Sequence, residues 1–161
     1  MEMISATLFP LFLKMIEPFI LHYCNYQERC HQEVRNKLYD AGITGPEVER
    51  QIALLIENGI LNEERFAKAF AGGKFRIKKW GRVKIRQQLK LRKVADYCIR
   101  KGLAEIGDED YAATLRQIAE RKAETLKKEK NKLVGEGKLY RFLVQKGYEH
   151  DLVADLVKDL L

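Results

Sequence analysis

The stretch IRQQLKLRKVADYCIRKGLAEI (Ile85–Ile106) indicates how this chain is built, because the spacing of its apolar residues occurs three times. Its apolar residues follow one another at steps of 4, 5, 5, 4 and 3. The three sets with this spacing are Val34, Leu38, Ile43, Val48, Ile52 and Leu55; Ile85, Leu89, Val94, Ile99, Leu103 and Ile106; and Leu139, Leu143, Tyr148, Val153, Val157 and Leu160. Steps of 3 and 4 stay on one helical face, whereas a step of 5 indicates a turn. Each copy therefore predicts two helices joined by a turn.

The residues at these turns fit the prediction in two of the three copies. Gly42 and Gly147 stand where the first helix of their copies ends, a position that favours left-handed backbone. Lys93 stands at the equivalent place in the middle copy, which predicts a mildly strained turn there. Thr44 to Pro46 suits the start of the next helix, since proline is tolerated in a first turn.

A further helix is expected ahead of each pair. Asn62, followed by Glu63 and Glu64, is typical of a helix start, although Gly72-Gly73 makes a regular helix doubtful farther on. The other two leading helices are predicted over Pro18–Tyr26 and from Tyr111 to about Leu133.

The whole pattern predicts an all-α fold of three tandem three-helix repeats, forming an elongated, curved molecule. The predicted divisions are an N-terminal arm of unknown role over 1–20 and repeats over 21–61, 62–107 and 108–161. No cofactor is expected, and the elongated chain is expected to be a monomer.

Positive charge is concentrated in the middle of the chain. The formal net charge is +7, yet residues 62–106 hold 14 basic and 4 acidic side chains, and Lys74–Lys93 holds ten basic and none acidic. A polyanionic or acidic partner is therefore expected. The candidate binding residues are Arg76, Lys78, Lys79, Trp80, Arg82, Lys84, Arg86, Lys90, Arg92 and Lys93.

Each part of this candidate site has a second interpretation. On a helix, Arg82, Arg86, Lys90 and Lys93 would form a cationic stripe, which could also be a solvated face needed only for solubility. Trp80 could stack on a base, or it could fill the junction between two helices of its own repeat.

Several other classes of function find no support in the sequence. Nucleotide-binding fingerprints, the HExxH motif and a nucleophile with a credible base are absent, so no enzyme is indicated. The four residues His22, Cys24, Cys30 and His31 lack the spacing of a zinc site, and we expect Cys30 to start a helix or to pack.

Three unpaired cysteines favour the cytoplasm, and Pro10, Lys14 and Pro18 interrupt the apolar N-terminal stretch, so no membrane segment is expected.

Four segments together resemble the RecX family, the bacterial regulators of the RecA recombinase. They are YQERCHQEVRNKL (Tyr26–Leu38), GILNEERFAKAF (Gly59–Phe70), KKWGRVKIRQQL (Lys78–Leu89) and KLYRFLVQKGYEHDLV (Lys138–Val153). The resemblance covers roughly residues 22–161, and the family's three-helix repeats agree with the triple pattern.

The resemblance implies a non-enzymatic regulator that binds the RecA filament on single-stranded DNA and modulates, mostly by inhibition, its ATPase, strand-exchange and coprotease activities. The DNA would be contacted directly or through the filament. Two other interpretations stay open: a DNA-binding protein that needs no recombinase, and an adaptor that binds only protein.

Overall fold

The regular secondary structure in the computed structural model, which describes residues 15–161, is entirely helical. The helices are α1 Pro18–Tyr26, α2 His31–Asp40, α3 Pro46–Glu57, α4 Glu63–Lys78, α5 Arg82–Leu91, α6 Asp96–Ala104, α7 Asp108–Leu126, α8 Lys132–Lys146 and α9 His150–Leu160. They form three consecutive groups, which we name the first unit (α1–α3), the middle unit (α4–α6) and the third unit (α7–α9). The prediction of an all-α chain of tandem three-helix units is confirmed.

The repeated apolar pattern forms the core of every unit. Sixteen of its 18 side chains are buried, and the remaining two, Ile43 and Leu160, are partly buried against the same cores. The predicted helix ends also agree with the structure, because each step of 5 spans either the turn or the start of the second helix. Burial of this stripe is what pairs the helices of each unit.

The three turns are closed in the same way. Gly42, Lys93 and Gly147 have φ values of +83°, +56° and +97°. The residue after each of them donates its amide to the carbonyl of the leucine five residues before it, which is Leu38, Leu89 or Leu143. This bond satisfies a carbonyl that the helix end would leave free. The strained turn predicted at Lys93 is therefore present.

Helix α4 runs unbroken through the glycine pair, so the doubt about a regular helix there is corrected. Asn62 caps its start by accepting a hydrogen bond of 2.9 Å from the amide of Arg65. Close packing against α6 supports the helix farther along. A Cβ on Gly102 of α6 would lie 2.7 Å from the carbonyl oxygen of Ala67, so the two backbones nearly touch.

Helix α7 is shorter than predicted. It ends at Leu126, and α8 begins at Lys132 after Asn131, whose side chain accepts a hydrogen bond of 3.3 Å from the amide of Val134. Leu133, the predicted end of this helix, is instead 77% exposed at the start of α8. The asparagine cap starts a new helix where the spacing of apolar residues had predicted one continuous helix.

Two apolar cores hold the units together. One lies within the first unit and includes Ile16 and Ile20, so the expected arm over 1–20 contributes residues to it. Residues 1–14 of that arm lie outside the described part of the chain. The other core runs without interruption through the middle and third units. Between residues 15 and 161, no hydrogen bond or ion pair joins the first unit to the third. Each unit thus packs on its neighbours, as expected for a solenoid-like chain.

No helix in the described part of the chain has the length and apolar character needed to cross a bilayer.

Candidate binding surface of the middle unit

The basic run lies at the junction of α4 and α5. Helix α4 ends at Lys78, and Lys79 closes it with left-handed backbone (φ 57°) while the amide of Trp80 donates to the carbonyl of Lys74. Helix α5 then begins at Arg82. The junction is therefore a tight turn with cations on both helices that flank it.

Backbone of the third unit holds this turn in place. The amide of Gly81 donates to the carbonyl of Lys146 (2.8 Å), and the amide of Val83 donates to the carbonyl of Gly147 (3.0 Å). Glycine is required at position 81, because a Cβ there would lie 2.2 Å from the Gly147 carbonyl oxygen. Two adjacent turns of the repeat thus meet main chain to main chain.

A buried tyrosine completes the contact between the two units. The hydroxyl of Tyr111 accepts from the amide of Arg82 (3.0 Å) and donates to a carboxylate oxygen of Glu149 (2.6 Å). Burial, and then the bond to Glu149, raise the pKa of Tyr111, so the hydroxyl stays protonated and keeps donating. Its ring also packs between those of Phe75 and Tyr148.

Three of the candidate cations contact neighbouring parts of the protein. Arg82 donates to Asp108 (2.6 Å) and to the carbonyl of Ile106. Arg92 donates to the carbonyl of Gln88, and its Nε lies 3.8 Å from a carboxylate oxygen of Glu33. Lys84 donates to the carbonyl of Gln145. The predicted stripe of Arg82, Arg86, Lys90 and Lys93 therefore begins with an arginine that is already paired, and it ends in the turn after α5.

Trp80 is half-buried and packs against the core shared by the middle and third units. The ammonium groups of Lys74 and Lys84 lie 5.2 and 4.7 Å from the centre of its ring system. This environment matches the interpretation in which Trp80 fills a junction, with the additional feature that the junction includes the third unit.

Five candidate residues remain exposed at the surface. We call them the exposed cations: Arg76, Lys78, Arg86, Lys90 and Lys93. Within residues 15–161, none of them has a carboxylate within 4.0 Å. Four of the 14 basic side chains of residues 62–106 form ion pairs, and these are Arg65, Lys68, Arg82 and Arg92. Ten basic side chains of the middle unit thus have no ion-pair partner in the part of the chain that the structure describes.

Arg100 joins this surface, although the sequence did not single it out. It is exposed on α6 and lines an open concavity of about 420 Å³ together with Arg82 and Arg86. The feature of the sequence that could have identified Arg100 is its position directly after Ile99, an apolar-pattern residue on the helix predicted to pair with α5. Arg76 and Lys79 line a different concavity, beside Asp110 of α7.

Comparison with known proteins places the chain in a family. Residues 62–103 match the family model described as the second three-helix domain of RecX, and residues 108–157 match its third three-helix domain. The regulatory protein RecX of Clostridium perfringens strain 13 is 34% identical over 133 residues, which cover 82% of this chain and 62% of that protein. The RecX protein of Clostridium botulinum strain Eklund 17B is 31% identical over 134 residues, covering 83% of this chain.

Solved structures show the same fold. The crystal structure of RecX from Lactobacillus salivarius superimposes with a TM-score of 0.80 at 21% identity, covering 92% of this chain and 96% of that one. A second RecX crystal structure gives a TM-score of 0.77 at 20% identity and covers 93% of this chain and 70% of that one. The chain spans about three fifths of the length of the clostridial relatives. These matches and the triple helical repeat agree, and the chain belongs to the RecX family.

Proposed function

We propose that this chain regulates a RecA-type recombinase by binding the filament that the recombinase forms on single-stranded DNA. Binding lowers the ATPase, strand-exchange and coprotease activities of the filament. The observation that carries the proposal is the uncompensated charge of the middle unit, where the exposed cations flank a turn that the third unit holds rigidly. Membership of the RecX family supports the choice of partner.

The physical basis of binding is electrostatic. Exposed lysine and arginine side chains contact DNA phosphates or the acidic side chains that line a protein groove. Each phosphate contact releases counterions, so binding weakens steeply as the salt concentration rises. Charges left unpaired in the free protein lose no internal ion pair on binding, which favours the complex.

The test removes three exposed cations while leaving every contact between the units intact. We expect the Lys78→Ala, Arg86→Ala, Lys90→Ala triple variant to need roughly tenfold more protein for half-maximal inhibition of DNA-dependent RecA ATP hydrolysis, since each exposed pair contributes up to about 1 kcal/mol. A matched variant, Lys127→Ala, Lys128→Ala, Lys130→Ala, removes the same charge from the third unit and should inhibit like the parent. Unchanged inhibition by a triple variant of normal helicity would refute the role of this surface.

A second measurement separates this proposal from direct DNA binding. Affinity for bare single-stranded DNA and for RecA-coated DNA is compared at the same salt concentration. We expect clearly tighter binding to the coated strand. Equal affinities would favour a protein that binds DNA without a recombinase, and inhibition that survives charge reversal of the exposed cations would favour an adaptor that binds only protein.

A further inference from the structure

A second cationic site lies on the first unit, away from the basic run. Helix α1, the connection that follows it and the last turn of α2 surround an open concavity of about 460 Å³, within the range of small-ligand sites. Its lining combines four aromatic rings with two cations: Phe19, His22, Tyr23, Tyr26, Arg29 and Lys37.

The cations at this concavity are the uncompensated charges of their unit. Helices α1–α3 and their turns carry four lysine or arginine residues, and two of these, Arg35 and Arg50, pair with Glu49 and Glu47 at 2.8 Å. Arg29 and Lys37 have no carboxylate within 4.0 Å in the described chain. The nearby carboxylates of Glu28 and Glu33 instead form ion pairs with Arg65 and Arg92 of the middle unit.

The geometry gives a flat, positively charged platform beside an exposed ring. The guanidinium carbon of Arg29 lies 3.7 Å from the centre of the Tyr23 ring, and its Nε donates to the Tyr23 carbonyl, so Arg29 is held over that ring. The ammonium group of Lys37 lies 5.3 Å from the centre of the same ring. Tyr26 is 77% exposed at the end of α1, so its ring contributes little to the core.

We infer that this concavity binds an unpaired base of single-stranded nucleic acid, with the neighbouring phosphates at Arg29 and Lys37. Bases stack on aromatic rings and on arginine planes, and both are available here. Duplex DNA covers the faces of its bases and would use only the two cations. An acidic peptide would likewise leave the four rings unused. The site needs no recombinase, and it is separate from the surface of the middle unit.

The direct test is photocrosslinking with the full chain. A single-stranded oligonucleotide that carries 5-iodouracil is irradiated with the protein in the absence of recombinase, and the crosslinked residues are identified by mass spectrometry. We expect crosslinks at Tyr26 and its neighbours on α1. They should disappear in Tyr26→Ala and persist in Tyr39→Ala, a control on α2 that removes a ring 49% exposed outside the concavity. Crosslinks confined to the middle unit would overturn the inference.

Affinity measurements distinguish stacking from charge. Tyr26→Ala should weaken binding of a fluorescent oligothymidylate about fivefold or more, because one base–aromatic stack contributes at least about 1 kcal/mol. Lys37→Gln should reduce the slope of log affinity against log salt by about 0.7, the value for one phosphate contact on a single strand. Lys128→Gln should leave that slope unchanged.

Unchanged oligothymidylate affinity in Tyr26→Ala would overturn the inference, even if the same variant bound the recombinase filament more weakly. That combination would identify the concavity as a protein-docking site. Since the binding and crosslinking experiments contain no recombinase, their failure would leave the proposed regulatory function untouched.

Discussion

Lys93 has a conformational energy cost that the glycines at the equivalent turns of the other two units avoid. The turns at Gly42, Lys93 and Gly147 share the same hydrogen bond and the same left-handed backbone. A side chain in that conformation costs about 1–2 kcal/mol, whereas glycine adopts it freely. Lys93 is also an exposed cation, so the strain is located at a residue that we place in the binding surface.

Replacing this lysine should stabilise the protein. We expect Lys93→Gly to raise the free energy of unfolding by about 1 kcal/mol, since it removes the left-handed strain. Lys90→Gly, three residues earlier and in the last turn of α5, should lower it by up to about 1 kcal/mol, because glycine is a poorer helix former than lysine. Urea unfolding followed by circular dichroism measures both changes. A less stable Lys93→Gly variant would show that the lysine side chain makes a favourable contact.

Helices α4 and α6 show that the same residue type has opposite roles in neighbouring elements. Gly73 of α4 has open space where a Cβ would be, whereas Gly102 of α6 faces the backbone of Ala67. The first glycine only weakens its helix, and the second allows the two helices to approach closely. The sequence indicated that Gly73 is unfavourable in a helix, but it did not reveal the close approach of backbones at Gly102.

Alanine at these two positions should therefore change stability in opposite directions. Gly73→Ala should raise the free energy of unfolding by about 0.5–1 kcal/mol through helix propensity. Gly102→Ala should lower it by about 1–3 kcal/mol, because the two helices must separate to admit the methyl group. Thermal unfolding of both variants beside the parent protein measures this difference. Equal shifts of the same sign would contradict the close approach of α4 and α6.

These elements also show what the sequence could predict. Periodic spacing located the paired helices of every unit, because burial of an apolar stripe is a local property of the chain. It did not show that α4 continues through Gly72-Gly73 or that Asn131 starts α8, since tertiary packing and capping decide those points. In the candidate site, the sequence identified the basic residues but not which of them are exposed and which contact the rest of the protein. Arg82, Lys84 and Arg92 contact residues that are distant in sequence, which spacing alone does not reveal.

The joints between the units differ in chemistry across the whole molecule. The middle and third units share one apolar core. The first unit meets the middle unit through polar contacts, including the ion pairs Arg65–Glu28 and Arg92–Glu33. Cys30, which is buried at the start of α2 as expected, is the residue of the first unit that packs into the core of the middle and third units. Ion pairs at the surface are weak and are screened by salt. The first unit should therefore be the more independent one.

Unfolding should reflect this difference in two stages. We expect the first unit to unfold at a lower urea concentration than the middle and third units, which should unfold together. Circular dichroism reports all the helices, whereas fluorescence of Trp80, the only tryptophan, reports the second core. The dichroism curve should thus begin to fall first, and added salt should widen the separation. Coincident curves at every salt concentration would indicate that the three units unfold as one.

The turn at Gly81 is held by groups other than the exposed cations that we place in the binding surface. The bonds that hold this turn run from the amides of Gly81 and Val83 to main-chain carbonyls, and from the Tyr148 hydroxyl to the carbonyl of Lys79. None of the exposed cations supplies a side chain to them. Substitution can therefore add, remove or invert charge on this face without dismantling its support, so specificity for a partner can diverge while the fold is kept.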